Sequence, residues 1–134
     1  MKLITHSVRA AAVAVASLAA IPQSVLAETV ITTILKTELE GMEGMEANVV
    51  LFDVDPGWQT PSHIHPGQLF VYVLEGGLEL SVEGHETVTV GPGEVVYETP
   101  DVPMVGRNLS STERAKLLVF QFGEAGEPLM IAQE

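Results

Sequence analysis

Hydrophobic and polar residues alternate with a period of two along most of the chain after residue 28. Val30, Thr32 and Ile34 alternate with their neighbours, as expected where successive side chains point to opposite faces of a β-strand. The segment Glu38–Glu46, which contains two glycines, predicts a loop rather than a helix. Further strand-length runs rich in β-branched and aromatic residues cover 49–53, 69–74, 78–82, 87–90, 95–99 and 116–122.

Turn-forming residues separate these runs at intervals of about ten residues, which is typical of β-sandwiches and β-barrels. They occupy positions 55–57, 66–67, 75–77, 83–84, 91–93 and 100–101. No stretch after residue 28 has a convincing helical period, and no internal repeat or low-complexity linker divides the chain. The pattern therefore predicts one antiparallel all-β domain. Alternate residues of its strands could line an internal cavity.

The first 27 residues have a different character. Lys2 and Arg9 precede an uncharged apolar run from Ala10 to Ile21, and small residues stand three and one before Glu28. The apolar run is too short for a membrane span, which needs about 20 residues. Residues 1–27 are therefore predicted to be a secretory signal peptide, and the mature protein is expected to be periplasmic or secreted, with no membrane attachment after cleavage.

Charge and cysteine content exclude several classes of function. The 134 residues contain 18 acidic and 6 basic residues, a formal net charge of -12, which disfavours nucleic acids and anionic lipid surfaces as partners. Cysteine is absent, so disulfides, thiolate metal sites and thiol nucleophiles are excluded. A neutral or cationic small molecule remains the expected partner.

The most informative local pattern is His63-Ile64-His65, directly before Pro66-Gly67. Residues i and i+2 of a strand project from the same face, with Cα atoms about 6 to 7 Å apart. Two imidazoles in this arrangement can converge on one metal ion. A pair of solvent-exposed histidines is the alternative.

The surroundings of this pair resemble the cupin superfamily. Gly57, five residues, His63-x-His65 and the later Gly76 are similar to the first cupin motif, and the segment from Gly93 to Asn108 is similar to the second. The resemblance implies a single-domain cupin-type jelly-roll β-barrel over residues 46–122. It leaves residues 28–45 as an N-terminal strand and loop and residues 123–134 as a C-terminal tail.

In cupins, two histidines, a Glu or Gln of the first motif and a histidine of the second usually hold a divalent metal. This sequence matches that set at His63 and His65. It has Leu69 at the position of the acid, with Gln68 one place early, and Met104 at the position of the third histidine.

Two interpretations of these departures remain open. In one, His63, His65 and Met104 bind a transition metal, with Gln68 or water completing the shell. Copper is then favoured because a thioether is a soft ligand, while zinc, iron, manganese and nickel remain candidates. In the other, Leu69 and Met104 make the cavity apolar, and the barrel binds a small organic ligand without metal or catalysis.

Strand register decides whether Gln68 can reach the cavity. If the histidines point inward and the register continues past Pro66-Gly67, Leu69, Val71 and Val73 point inward as well. A bulge at Pro66-Gly67 would instead bring Gln68, Phe70 and Tyr72 inside.

The resemblance also leaves catalysis open, because cupins include enzymes as well as proteins that only bind. An oxidoreductase or dioxygenase-like activity is compatible with a metal that has open coordination positions. The candidates for an internal general acid or base are Glu98, His63 and His65, while His85 belongs to a predicted exposed turn. Small cupins are commonly homodimers, and the strand at Thr29–Thr37 is a candidate for pairing between subunits.

Overall fold

In the computed structural model, which describes residues 28–134, the chain forms two five-stranded antiparallel sheets. Within these residues no helix is long and apolar enough to cross a membrane. The predicted signal peptide lies outside the described residues. The strands are β1 (Val30–Glu38), β2 (Met45–Val54), β3 (His63–Ile64), β4 (Gln68–Glu75), β5 (Leu78–Val82), β6 (Val88–Val90), β7 (Val95–Glu98), β8 (Met104–Asn108), β9 (Ala115–Glu124) and β10 (Ile131–Ala132).

The two sheets differ in the length of their strands. The long sheet has the order β1-β2-β9-β4-β7, and the short sheet has the order β10-β3-β8-β5-β6. Most neighbouring strands are distant in the chain, as in a jelly roll, where successive strands alternate between two facing sheets. The predicted all-β jelly roll is confirmed.

The hydrophobic core lies between the sheets, where alternate residues of the strands point inward. In β4, Leu69, Val71 and Val73 are buried, whereas Phe70 and Tyr72 are exposed. The inward pattern of the histidines therefore continues past Pro66-Gly67, and no bulge there reverses it. Burial of these branched side chains supplies much of the free energy of folding.

Both ends of the described chain belong to the sheets. Strand β1 pairs with β2 along its length, and β10 pairs with β3 of the short sheet. The predicted loop at Glu38–Glu46 is shorter than expected, since β1 continues to Glu38 and β2 begins at Met45. Strand β10 was not anticipated, because two residues are too few to show a period.

The turn before β8 fixes the backbone beside the histidine pair. Asp101 adopts the left-handed conformation, with φ of 59°, which Asp tolerates better than most residues. Its backbone N–H donates to the carbonyl of His65 over 3.0 Å. This hydrogen bond links the turn at residues 100–101 to the segment that carries the histidine pair.

Candidate functional site

A small cavity between the two sheets contains the candidate site. Its volume is about 50 Å³, which is room for a few water molecules but only a third of the roughly 150 Å³ that admits benzene. Most of its wall is apolar, and its polar groups are concentrated around the histidine pair. The residues that line it include His63, His65, Leu69, Glu98, Leu129 and Met130.

His63 occupies the first position of the two-residue strand β3. It is 4% exposed, and its Nδ1 lies 3.0 Å from the carbonyl oxygen of Pro61. A carbonyl can only accept a hydrogen bond, so Nδ1 carries the proton in this contact. In the neutral ring, Nε2 is then an unprotonated nitrogen that faces the cavity.

His65 has the same arrangement with a different partner. It is also 4% exposed, and its Nδ1 donates to the carbonyl oxygen of Leu129 over 2.6 Å. The Nε2 atoms of His63 and His65 are 3.1 Å apart, and the rings meet edge to face. The structure therefore brings both predicted imidazoles to one point inside the cavity.

Glu98, at the end of β7 in the long sheet, approaches this point from the facing wall. Its side chain is buried, and its Oε2 lies 2.9 Å from Nε2 of His65. Sequence reasoning named Glu98 only as a possible acid or base. Its position beside the histidines follows from register, since Glu98 is the cross-strand partner of Leu69.

These contacts form a chain of three potential acceptor atoms, in which Nε2 of His65 lies within hydrogen-bond distance of both Nε2 of His63 and Oε2 of Glu98. With both Nδ1 protons directed to backbone carbonyls, the two Nε2 atoms and the Glu98 carboxylate repel each other unless a cation lies among them. A single proton on His65 satisfies the ion pair with Glu98. A metal ion would satisfy all three atoms once the Glu98 carboxylate also approached His63, so the chemistry of the donor set fits a divalent cation.

The protonation state of His63 is consistent with a ligand role. Burial lowers the pKa of His63 below that of a free imidazole, because charge is poorly solvated inside the protein. The hydrogen bond to Pro61 and the charge of Glu98 act in the opposite direction. Metal ions bind the neutral imidazole, which burial favours.

Met104 lies beside His63 but does not line the cavity. The two residues are directly opposite in the β3–β8 pair, so both side chains project from the same face of the short sheet. The Met104 side chain is 2% exposed. It is therefore packed next to the predicted ligand rather than placed among the groups around the cavity.

Gln68 lies on the opposite side of the sheet from the histidines. It is exposed at the start of β4, and its Oε1 accepts a hydrogen bond of 2.6 Å from the hydroxyl of Tyr97. Because alternate side chains of a strand point to opposite faces, the inward position of Leu69 requires Gln68 to point outward. This placement removes Gln68 from the candidate ligands. His85 is exposed in the turn between β5 and β6.

The C-terminal segment closes one side of the cavity. Leu129 and Met130 line it, and Leu129 also packs against the core. The buried side chain of Gln121 donates to the carbonyl oxygen of Pro128 over 3.0 Å. Gln121 thus fixes the segment that carries the carbonyl acceptor of His65. Sequence reasoning did not identify this segment.

The polar groups do not yet form a complete metal site. Within residues 28–134, no group of three or more His, Cys, Asp or Glu side chains already has the required arrangement. His63 and His65 are the pair whose nitrogens converge, and Glu98 is turned toward His65. The remaining ligands of a bound ion must come from a shift of a neighbouring side chain or from water.

Comparisons with known proteins agree with the fold. The cupin domain family matches residues 50–121, and no curated protein matches the sequence. Among solved structures, the DMSP lyase DddQ of Ruegeria pomeroyi is 21% identical with a TM-score of 0.61, and the alignment covers 84% of this chain but 55% of that enzyme. A double-stranded β-helix protein of Klebsiella pneumoniae is 20% identical with a TM-score of 0.59, over 80% of this chain and 86% of the other.

An oxalate oxidase is 21% identical with a TM-score of 0.55, over 64% of this chain and 45% of the other. Structural similarity at this level of sequence identity shows that the proteins share a fold. The family match covers more than half of the 134 residues. The chain therefore belongs to the cupin domain family.

Proposed function

We infer that this protein is an exported small cupin that binds a divalent or copper ion through His63 and His65. The observation that carries this proposal is the pair of Nε2 atoms 3.1 Å apart inside a buried cavity. Both Nδ1 atoms are hydrogen-bonded to backbone carbonyls, which orients the rings and leaves the two Nε2 atoms as ligands.

The chemistry proposed for the site is oxidoreductase or dioxygenase-like turnover of a small molecule. A bound transition metal would supply a Lewis acid or redox centre with positions open to a small ligand. Most of the cavity wall is apolar, and the buried carboxylate of Glu98 lies beside His65. The proposal of a catalytic role is supported by the DMSP lyase and the oxalate oxidase, which share the fold.

The metal content of purified protein tests the proposal. We expect near-stoichiometric transition metal in the wild-type protein by elemental analysis and its loss in the double variant His63→Ala/His65→Ala. His85→Ala is the matched control, because that imidazole is exposed in a turn away from the cavity. Equal metal content in the wild type and the double variant would reject the site.

The apolar cavity wall favours one alternative, a metal-free cupin that binds a small organic molecule. At about 50 Å³ the cavity accepts only a few heavy atoms unless Leu129 and Met130 move. Native mass spectrometry after treatment with a chelator distinguishes the two functions. An organic molecule retained at one equivalent supports the alternative, whereas the bare chain mass counts against it.

Export and dimer formation complete the proposal. Export is tested by the N-terminal sequence of protein recovered from the periplasm or medium, where we expect the chain to begin at Glu28.

Strand β1 is the proposed contact between subunits, because four of its large apolar side chains are 49 to 57% exposed at a sheet edge (Val30, Ile31, Ile34 and Leu35). Light scattering should show a dimer for the wild type and a monomer for Ile31→Lys/Ile34→Lys; a monomeric wild type would contradict this contact.

A further inference from the structure

We propose that Glu98, rather than Met104 or Gln68, is the third protein ligand of the ion, so that the site consists of two imidazoles and one carboxylate. This inference rests on the proposed metal binding by His63 and His65. It names the ligand set and, through it, the class of metal.

The burial of Glu98 is the first observation behind this assignment. Its side chain is 5% exposed, and a buried carboxylate is costly unless it is paired with a cation or coordinates a metal. The four Lys and Arg side chains of residues 28–134 form ion pairs with other carboxylates. The ion pair formed by Glu98 is the one with His65.

Distances among the three groups are the second observation. Two ligand atoms of one ion are about 3.0 Å apart when the bonds are about 2.1 Å long and the angle between them is about 90°. The Nε2–Nε2 distance is 3.1 Å, and the distance from His65 Nε2 to Glu98 Oε2 is 2.9 Å. Both distances share Nε2 of His65, and Glu98 contacts that histidine alone, so a rotation of its side chain toward His63 would complete the set of three ligands.

Strand register is the third observation. Leu69 in β4 and Glu98 in β7 are directly opposite, both are buried, and both line the cavity. Directly opposite residues have Cβ atoms about 5 Å apart and share one face. A carboxylate at either position therefore enters the same part of the cavity. Leu69 is the position at which the first motif would have its acid, and Glu98 supplies that group from the next strand.

The ligand set changes the expected metal. The preference for copper depended on a thioether ligand, and Met104 does not line the cavity. Two imidazoles and a carboxylate on one side of an ion favour divalent iron, manganese, cobalt or zinc, with other positions open. The site is accordingly assigned to a borderline or hard divalent ion that a small oxygen-donor molecule can also contact.

Titration of metal-free full-length protein with Mn²⁺ and Zn²⁺ by calorimetry tests the assignment. We expect Glu98→Gln to weaken binding by at least about 100-fold, since loss of groups outside the first ligand shell already costs about 10- to 100-fold. Met104→Leu, which keeps the volume of the side chain, should change affinity by less than about threefold. Glu46→Gln is the matched control, because Glu46 is also buried but pairs with Lys36 away from the cavity.

An exchange of the cross-strand pair provides a stricter test. Glu98→Leu should lose binding, and the double variant Leu69→Glu/Glu98→Leu should recover most of it, because the carboxylate returns to the same part of the cavity from β4. A merely structural role of Glu98 does not predict this recovery. Circular dichroism and the melting temperature establish that each variant is folded before titration.

The outcomes separate this inference from the proposed function. If His63→Ala/His65→Ala abolishes binding while Glu98→Gln retains wild-type affinity, the carboxylate assignment is wrong and the metal site stands. If the wild type binds neither ion, the proposed function itself fails. X-ray absorption of the zinc-loaded wild type needs no variant: nitrogen and oxygen neighbours alone are expected, and a sulfur neighbour would overturn the assignment in favour of Met104.

Discussion

The two sheets of this protein have different structural roles. Four of the five strands of the long sheet are 8 to 10 residues long, whereas those of the short sheet have 2 to 5 residues. Most of the main hydrophobic cluster comes from the long sheet. The histidine pair is on and just after β3, one of the two shortest strands, and is held by contacts from side chains to backbone.

Because of this difference, the long sheet mainly determines the stability of the protein, whereas the surroundings of β3 determine the orientation of the two imidazoles. Long, regularly paired strands bury branched side chains and provide a fixed wall from which Glu98 projects. A two-residue strand contributes few backbone hydrogen bonds of its own, so the orientation of the imidazoles depends on Pro61, Leu129 and the turn at Asp101. Substitutions in the hydrophobic core of the long sheet should therefore change the free energy of unfolding, whereas changes around β3 should mainly change metal affinity.

The largest expected effect is that of Gly76→Ala, where β4 ends against β9. Gly76 has φ of 75°, and an added Cβ would lie 2.8 Å from the carbonyl oxygen of Arg114 and 2.9 Å from Ala115. The left-handed conformation costs about 1 to 2 kcal/mol and the overlap about 1 to 3 kcal/mol more, so the free energy of unfolding should fall by about 2 to 5 kcal/mol. Urea denaturation measures this change.

Gly84→Ala is the matched control for that variant. Gly84 has φ of 76° in the turn between β5 and β6 of the short sheet, and an added Cβ would meet nothing within 4 Å. Only the conformational cost of about 1 to 2 kcal/mol is expected. Equal losses in the two variants would show that contact with β9 contributes nothing.

Truncation of buried leucines compares the two sheets directly. Leu117 belongs to the main core cluster, whereas Leu80 is equally buried in the short sheet but is not part of that cluster. Leucine-to-alanine changes in cores cost about 2 to 5 kcal/mol, depending on the cavity they leave. We expect about 3 kcal/mol or more for Leu117→Ala and about 2 kcal/mol for Leu80→Ala in chemical denaturation. The reverse order would contradict the assignment of stability to the long sheet.

These elements also differ in how far the sequence predicts them. All five strands of the long sheet, or their central parts, are predicted from alternation or from runs of β-branched and aromatic residues, and so are β5 and β6 of the short sheet. Strand β8 is less evident, because it contains Gly106, Arg107 and Asn108 rather than a run of β-branched residues. Strands β3 and β10 have two residues each and carry no periodic signal.

The site was predictable where it is local and not where it depends on register. His63 and His65 share one face because they are two residues apart in extended chain. The position of Glu98 depends on the pairing of β4 with β7, and the Leu129 carbonyl is 64 residues from His65 in the chain. The direction of the Gln68 side chain depended on whether a bulge followed His65. The sequence allows both registers, and the structure shows the one in which Gln68 points outward.

Removal of the segment after Glu127 tests whether the C-terminus orients the site. The truncated chain lacks the carbonyl that accepts the His65 Nδ1 proton, so affinity for Mn²⁺ should fall about 10- to 100-fold. The free energy of unfolding should fall by only about 1 to 2 kcal/mol, since Leu129 is half-buried. Calorimetry and urea denaturation measure the two quantities.

A chain that lacks only Gln133 and Glu134 is the control for this truncation. It keeps Leu129 and its contact with His65, and loses the hydrogen bond from the Gln133 backbone to Ser62. Its affinity should stay within about threefold of the wild type. If the longer truncation binds Mn²⁺ as tightly as this control, the short sheet orients His65 without help from the C-terminus.

The smallest expected effect is that of Asp101→Gly in the turn beside His65. Glycine removes the strain of φ at 59° but increases the conformational entropy of the unfolded chain, so the two contributions largely cancel. The free energy of unfolding should change by less than about 1 kcal/mol, and metal affinity should not change, because the hydrogen bond to the His65 carbonyl comes from the backbone of residue 101. Asp101→Val should instead lose about 1 to 2 kcal/mol, since a β-branched residue fits this conformation poorly. A large loss of affinity in Asp101→Gly, with stability retained, would mean that the carboxylate of Asp101 itself contributes to the site.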